Sequence, residues 1–162
     1  MNIRFASKVD IDGIVTIYRE LAEYYFGEDA PPRDDIRGYF LNRVFADHSG
    51  VQVLLAEDQS RRVIGFSTIS ILYPAPKLTG QLYMKDLFTA SAARGRGVGR
   101  RLMQFIATYA REKGCNRVDW TAERSNPGAG AFYAAIGAER VDEKQYFRFE
   151  GDALSRFALA VL

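Results

Sequence analysis

ARGRGVGRRL, residues 93–102, sets three glycines at alternate positions among four arginines. Glycines at this spacing let a ligand approach the backbone more closely than a Cβ atom would allow, and arginines favour an anionic ligand. The stretch follows a predicted strand at residues 81–89 and opens a predicted amphipathic helix that stops at Gly114. Because backbone N–H groups converge at a helix N-terminus, the sequence predicts an anion-binding loop here.

The loop departs from the two best-known phosphate-binding fingerprints. A P-loop requires Gly-x-x-x-x-Gly-Lys-Ser/Thr, and the sequence has no such run. The dinucleotide fingerprint Gly-x-Gly-x-x-Gly fails because Arg100 or Leu102 stands where the third glycine is required. Glycine spacing alone leaves two interpretations open, an anion-binding loop and a turn with solvated arginines.

The overall composition is that of an ordinary globular protein. The chain has 162 residues, of which 48% are hydrophobic, and its net charge of +2 gives no support to a nucleic-acid-binding protein. One cysteine, Cys115, and one histidine, His48, exclude an internal disulfide and argue against a zinc site or a Ser-His-Asp triad. The N-terminal residues contain no long apolar run typical of a leader or a membrane span. We therefore expect one cytoplasmic domain over residues 1–162, with no metal and no membrane partner.

Hydrophobic periodicity predicts alternating strands and helices in the order β-α-α-β-β-β-α-β-α-β, followed by a C-terminal helix. This order indicates an α/β (α+β) fold whose first half is mostly antiparallel. The predicted strands cover residues 2–6, 51–57, 63–72, 81–89, 117–123 and 144–149. The terminal helix is predicted from one apolar face, which comprises Leu154, Phe157, Ala158 and Val161.

Two motifs give the chain a resemblance to a known family. RGRGVG, residues 94–99, matches the Arg/Gln-x-x-Gly-x-Gly/Ala signature of the GNAT superfamily of N-acetyltransferases, and NPGAGAFYAAIG, residues 126–137, resembles that family's second element. The order of the two motifs and the elements between them also fit, so the resemblance covers essentially the whole chain. It implies a GNAT-type fold with a central mixed, mostly antiparallel sheet of about six to seven strands flanked by helices.

The resemblance implies acetyl-coenzyme A as co-substrate and no metal. Its pyrophosphate would bind the N–H groups of residues 95–100, and its pantetheine amides would pair with the main chain of Leu87 and Thr89 like an added strand. The slot is expected between Thr89 and the strand around residues 120–123, where the fourth and fifth strands of the family part. The implied cofactor-binding residues are Leu87, Phe88, Thr89, Arg94, Gly95, Arg96, Gly97, Val98, Gly99, Arg100 and Asn126. For Asn126, an N-cap explains the residue equally well.

The implied reaction is direct attack of a neutral amine on the thioester in a ternary complex, which needs a base for the amine and an acid for the leaving thiolate. Tyr133 occupies the family position of the acid. The alternative for Tyr133 is core packing beside its neighbour Phe132.

Within the superfamily, LAEYYFGED (residues 21–29) and TGQLYMKDLFTASAARGRGVGRRLM (residues 79–103) resemble the diamine (spermidine/spermine) acetyltransferase branch. That branch carries an acidic pair on the fourth strand, but here the pair reads Lys85-Asp86. Lysine at its ordinary pKa cannot accept a proton, so the base is Asp86, Glu123 acting through water, or solvent.

The direction of the Lys85 side chain bears on the substrate. Strand alternation places Lys85 and Asp86 on opposite faces unless a bulge intervenes. A Lys85 that faces the pocket would repel a polyamine and attract a carboxylate, which favours an amino acid, whereas the alternative is a solvent-facing side chain without a role. The candidate substrate residues are Lys85, Glu123, Glu28 and Tyr25.

The expected partner is a small-molecule amine such as a diamine, a polyamine or an amino acid. Acetylation of a protein or peptide amine and a non-catalytic acyl-CoA sensor remain the alternatives. We expect no nucleic-acid partner, because stacking aromatics are absent around the arginines. Dimers are common in the diamine branch, so a homodimer is expected.

Overall fold

A five-stranded sheet with strand order β1-β2-β3-β4-β5 is the central element of the computed structural model, which describes residues 1–160. The strands are β1 Asn2–Phe5, β2 Val51–Glu57, β3 Val63–Ala75, β4 Thr79–Thr89 and β5 Cys115–Asp119. The first three strand pairs are antiparallel. β5 runs parallel to β4, which requires the crossover that a helix provides.

Residues 1–160 contain five α-helices. They are α1 Ile11–Phe26, α2 Arg33–Tyr39, α3 Val98–Glu112, α4 Pro127–Ala135 and α5 Asp152–Ala158. A π-helical turn, Phe40–Val44, continues α2, and short 3-10 turns occupy Lys8–Asp10, Gly27–Asp29, Pro76–Leu78 and Ser91–Ala93. None of the helices in this part of the chain is long and apolar enough to cross a bilayer.

One face of the sheet is covered by α1 and α2. The apolar stripe of α1 includes Ile14, which packs in one core cluster with Phe40, Phe66 and Phe88. The ring of Tyr18 meets Phe40 edge-on, with 5.0 Å between centroids, and meets Phe66 at 5.9 Å. The apolar period of α1 therefore buries that helix against β3 and β4, as its sequence predicts.

α3 lies very close to β3 where the strand carries a glycine. A Cβ atom at Gly65 would lie 2.6 Å from Cγ1 of Val98 and 3.2 Å from the carbonyl oxygen of Phe88. Only glycine allows this approach, because real Cβ atoms do not pack so tightly. The first turn of α3 is thereby held directly against the sheet, which fixes where the preceding glycine-rich loop can lie.

The described residues form two compact units. The first, Met1–Thr121, holds the sheet with α1, α2 and α3, and the second begins at Ala122 and holds α4 and α5. The prediction of one domain over residues 1–162 stays a prediction. In the second unit the rings of Phe149 and Phe157 stack with centroids 4.7 Å apart.

The α+β fold class and the predicted order are confirmed through α4, and β2 has the predicted bounds. The expected six to seven strands are wrong for residues 1–160, which contain five, because residues 144–149 form no strand. Their aromatic residues favour extended structure, but a strand also needs a neighbour for its hydrogen bonds, and Tyr146, Phe147 and Phe149 are all exposed.

Several boundaries differ from the expectation: β1 ends at Phe5 rather than residue 6, β3 extends to Ala75 rather than residue 72, and β4 begins at Thr79 rather than residue 81. β5 covers Cys115–Asp119 rather than residues 117–123, since its pairing with β4 ends at Asp119. The C-terminal helix is confirmed as α5, Asp152–Ala158, while Val161 of its predicted apolar face lies outside the described residues.

Candidate active site

The glycine-rich loop enters α3 through two left-handed glycines. Gly95 has φ +73° and Gly97 has φ +79°, and a Cβ atom at either position would meet no atom within 4 Å. Gly97 is the N-cap of α3, and no side chain caps this helix end. The carbonyl oxygen of Gly97 accepts a helical hydrogen bond from the N–H of Arg101 at 3.1 Å. An α-helix leaves the N–H groups of its first turn without intrahelical acceptors, so this uncapped end suits an anion.

Arg94 contacts two aromatic rings and the end of β4. Its guanidinium carbon lies 5.5 Å from the ring centroid of Tyr24 and 5.7 Å from that of Phe88. Its Nε donates to the carbonyl oxygen of Thr89 at 3.4 Å. Arg94 therefore bridges α1 and the end of β4. Arg94, Arg96 and Arg100 are all exposed.

A second contact ties α1 to the same loop. The N–H of Ser91, two residues after β4, donates to Oε1 of Glu20 at 2.7 Å. The backbone of this loop therefore engages the Glu20 carboxylate.

β4 and β5 pair over only the first part of β4. Their pairing ends at Tyr83 and Asp119, while β4 continues to Thr89. The N–H of Ala90 donates to the carbonyl of Ile64 at 3.0 Å and so points towards β3. Backbone alternation then directs the main-chain groups of Thr89 and Leu87 towards the side that β5 has left. The end of β4 thus offers the open edge that an added strand requires.

A bulge in β4 overrides the simple alternation of Lys85 and Asp86. Asp86 lies opposite Thr68 and Met84 lies opposite Ile69, so Lys85 is the extra residue. Because Thr68 and Ile69 are neighbours on opposite faces of β3, their partners Asp86 and Met84 also face opposite sides, although they are two residues apart. The Lys85 side chain is exposed.

Asp86 faces the α1 side of the sheet, in line with Phe66 and Phe88. Its carboxylate accepts a short hydrogen bond from the hydroxyl of Thr68, and its carbonyl oxygen accepts one from Ser67 Oγ at 2.6 Å. The pKa of the half-buried Tyr18 lies above its ordinary value. Burial is the main cause, followed by electrostatic interactions with Asp86 and with Tyr39. Tyr18 therefore keeps its proton at neutral pH.

Sequence reasoning missed the hydroxyl residues around Asp86. Ser67 and Thr68 are two adjacent hydroxyl residues within VIGFSTISIL, residues 63–72, and they stand between the apolar residues Phe66 and Ile69. This hydroxyl pair is the signal that could have drawn attention to them, since buried hydroxyls need partners.

The remaining candidates of the first unit lie at the end of α1. The exposed ring of Tyr25 is 5.1 Å from Tyr24 and 6.3 Å from Phe26, centroid to centroid. Glu28 is exposed in the turn Gly27–Asp29. Tyr25 thus belongs to a run of three solvent-facing aromatic residues.

Three candidates belong to the second unit. Asn126 caps α4, with its Oδ1 accepting from the N–H of Ala129 at 3.1 Å. Tyr133 is half-buried on α4, and its ring centroid lies 5.2 Å from that of Phe132. Glu123 is exposed ahead of the helix. The N-cap role of Asn126 is confirmed, while its ligand role and that of Tyr133 stay predictions.

Two open grooves elsewhere on the first unit are lined by none of the candidates. One, of about 670 Å³, lies between β1 and α3, and the other, of about 500 Å³, lies beside residues 44–52. Within residues 1–160, no three His, Cys, Asp or Glu side chains are grouped to hold a metal ion.

The comparison with known families agrees with this geometry. The model of the acetyltransferase (GNAT) family matches residues 14–138, a range that contains both motifs, the β4 bulge and the strand parting. The chain therefore belongs to the acetyltransferase (GNAT) family, and it is an acetyl-CoA-dependent N-acetyltransferase. The resemblance inferred from the two motifs is confirmed.

Individual relatives narrow the comparison. The chain is 29% identical over 164 residues to a thialysine N-epsilon-acetyltransferase of Bos taurus, with 96% of each chain covered. It is 36% identical over 67 residues, 41% of each chain, to a D-amino-acid N-acetyltransferase of Saccharomyces cerevisiae. An integron cassette protein from the mobile metagenome of V. cholerae has a similar structure, with a TM-score of 0.94, 47% identity and 98% of each chain covered.

The Gly97→Ala substitution tests the loop. Alanine at φ +79° costs about 1–2 kcal/mol of backbone strain, and its methyl group would occupy the open space in front of the helix end. We expect the Kd for acetyl-CoA to rise about tenfold, equivalent to about 1.4 kcal/mol, when measured by isothermal titration calorimetry.

Gly114→Ala is the matched control, because Gly114 also has a positive φ, +71°, with open space around it, but lies at the other end of α3. This variant should lose stability in the same way and keep its affinity for acetyl-CoA. Equal affinities in both variants would show that the loop does not contact the ligand.

Proposed function

We propose that this N-acetyltransferase acetylates a primary amine of a small molecule, either an amino-acid-like compound or a diamine, by direct attack in a ternary complex. The observation that carries the proposal is the bulge in β4. It sets a partly buried carboxylate, Asp86, next to an exposed ammonium group, Lys85, beside the open edge of the strand. The names of the relatives, which act on thialysine and on D-amino acids, support an amino-acid-like substrate.

Acetyl-CoA supplies the activated acetyl thioester, and the residues at the start of α3 fit its pyrophosphate. The uncapped helix end, the two left-handed glycines and the exposed arginines Arg96 and Arg100 together favour a bound anion. Arg94 is held by Tyr24 and Phe88, so its proposed role is to brace the loop. The main chain of Leu87 and Thr89 would bind the pantetheine arm along the open edge.

The proposed proton transfers use one carboxylate and one phenol. Asp86 accepts the proton of the attacking amine, directly or through water, with Glu123 as the alternative base. Tyr133 delivers a proton to the departing thiolate. Phe132 and Tyr133 are both half-buried and their ring centroids lie 5.2 Å apart, and the proposal assigns packing to Phe132 and the proton transfer to Tyr133. Tyr25 and Glu28, both exposed, are the proposed outer contacts of the substrate.

A panel of amines tests the substrate class. Thialysine, lysine, a neutral amino acid, putrescine, spermidine and a lysine peptide would each be incubated with acetyl-CoA, and thiol release would be measured. Because Lys85 attracts carboxylates and repels polycations, we expect the amino acids to exceed spermidine in kcat/KM. Lys85→Glu should shift the ratio of the two kcat/KM values towards spermidine by about tenfold, or about 1.4 kcal/mol.

Lys8→Glu makes the same charge change at another exposed lysine, next to α1's first turn, and should leave that ratio unchanged. A peptide preferred over every small amine would contradict the small-molecule substrate. Tight acetyl-CoA binding without turnover of any amine would instead support an acyl-CoA sensor.

Tyr133→Phe tests the acid. The substitution removes one hydroxyl and keeps the ring, so kcat should fall by about 100-fold, within the range for general acid catalysis. The Kd for acetyl-CoA should change by less than about twofold, since the hydroxyl assists the leaving group and not the bound ground state. Tyr146→Phe, at an exposed tyrosine of the same unit, is the control. An unchanged kcat in Tyr133→Phe would remove this residue from the mechanism.

The proposal includes a homodimer in the cytoplasm. The second unit exposes many apolar side chains, and exposed apolar surface of this kind is typical of protein interfaces. These residues are Val141, Tyr146, Phe147, Phe149, Leu154, Phe157 and Leu159. The single cysteine, Cys115, is a buried free thiol, as is usual in a reducing compartment.

Light scattering of the purified protein tests the dimer. We expect a mass of twice the 18.2 kDa of one chain. Phe147→Asp should lower that mass towards the monomer, because the exposed Phe147 would lie in the apolar contact. The control Lys144→Ala changes an exposed polar residue of the same segment and should keep the dimer. A monomeric mass for the unmodified protein would contradict the proposal.

A further inference from the structure

β3 carries two adjacent hydroxyl residues in its most buried section. Ser67 is fully buried and Thr68 is 6% exposed, between the buried side chains of Phe66 and Ile69. A hydroxyl buried without a partner costs stability, so each of these must be hydrogen-bonded. Both donate to one residue, Asp86.

The two hydroxyls bind different parts of Asp86. Ser67 Oγ donates to the main-chain oxygen at 2.6 Å, and Thr68 Oγ1 donates to the carboxylate oxygen Oδ2. These contacts lie directly beside the extra residue Lys85, where the ladder between β3 and β4 changes register. A bulge disrupts ladder hydrogen bonds and redirects a side chain. Here the Ser67 hydroxyl binds a main-chain oxygen at the bulge, and the Thr68 hydroxyl binds the redirected carboxylate.

The surroundings leave one carboxylate oxygen for another partner. Thr68 engages Oδ2, while the aromatic face formed by Phe66 and Phe88 lies on the same side of the sheet. The half-buried Tyr18 is close enough for the charge of Asp86 to raise its pKa. Asp86 is partly exposed, and the Thr68 hydroxyl engages only Oδ2 of its carboxylate.

We propose that Thr68 is a positioning residue for the acetyl-transfer reaction, because its hydroxyl orients the Asp86 carboxylate so that Oδ1 receives the proton of the substrate amine. Ser67 anchors the bulge on which Asp86 stands. The inference rests on the proposed function and extends it from Asp86 to the strand that supports it. A hydrogen bond of this kind rigidifies a charged group at a small cost to the free protein, since both partners are already ordered by the sheet.

Thr68→Val and Thr68→Ser form the test pair. Valine keeps the shape and removes the donor, so kcat/KM for the preferred amine should fall about tenfold, or about 1.4 kcal/mol, mainly through kcat. Serine keeps the hydroxyl donor and should restore kcat/KM to within about threefold of the wild type, because the hydrogen bond to the charged carboxylate is kept. The Kd for acetyl-CoA should be the same in all three proteins. Thr68→Ala lacks the same hydroxyl and replaces Thr68→Val if the valine variant does not fold.

A double-mutant cycle separates positioning from general packing. In an Asp86→Asn background, Thr68→Val should cause no further loss of kcat/KM, because the hydroxyl acts only through the carboxylate. Three outcomes would overturn the inference. Thr68→Val could cause a full further loss of kcat/KM in the Asp86→Asn background, Thr68→Val alone could keep wild-type kcat/KM, or Thr68→Ser could fail to restore activity.

The same assay distinguishes this failure from that of the proposed function. If the wild-type enzyme acetylates a small amine and Thr68→Val does so equally well, only the role of Thr68 is wrong. If the wild-type enzyme releases no thiol with any small amine, the proposed function and the inference are both wrong.

Discussion

One extra residue in β4 is the constraint on which the geometry of the proposed active site depends. The insertion of Lys85 changes the face on which every earlier residue of β4 lies, so that Met84 packs on one side and Asp86 faces α1. Without it, strict alternation would bring Met84 and Asp86 to the same face. The bulge thus lets β4 contribute apolar residues to one layer and a carboxylate to the other, and Ser67 and Thr68 hold it in place.

The loop before α3 depends on a different set of contacts. Gly65 lets the first turn of α3 lie against the sheet, and two left-handed glycines carry the chain into that turn. Arg94 and Glu20 then join the loop to α1 through ring and backbone contacts. α1 is therefore connected to the residues proposed to bind acetyl-CoA. The proposed base, Asp86, faces the same helix.

Local patterns predicted most of the fold and part of the site. β2 and the start of α3 agree with the sequence because apolar periodicity and glycine conformation are properties of a few consecutive residues. Residues 144–149 have aromatic composition typical of a strand and form none, since pairing depends on a neighbour that local composition does not specify. For the same reason, the sequence could not predict which residues of β3 form hydrogen bonds with Asp86.

The sequence by itself determined the family, the glycine-rich loop and the helix that follows it, because RGRGVG and NPGAGAFYAAIG encode turn and cap conformations within single stretches of chain. Tertiary structure alone decided which residue of the Lys85-Asp86 pair faces α1 and which hydroxyls hold the carboxylate. Strand register determines the direction of these two side chains and the partners of the carboxylate. Register depends on contacts between β3 and β4 that are distant in sequence, such as the one between Thr68 and Asp86, 18 positions apart.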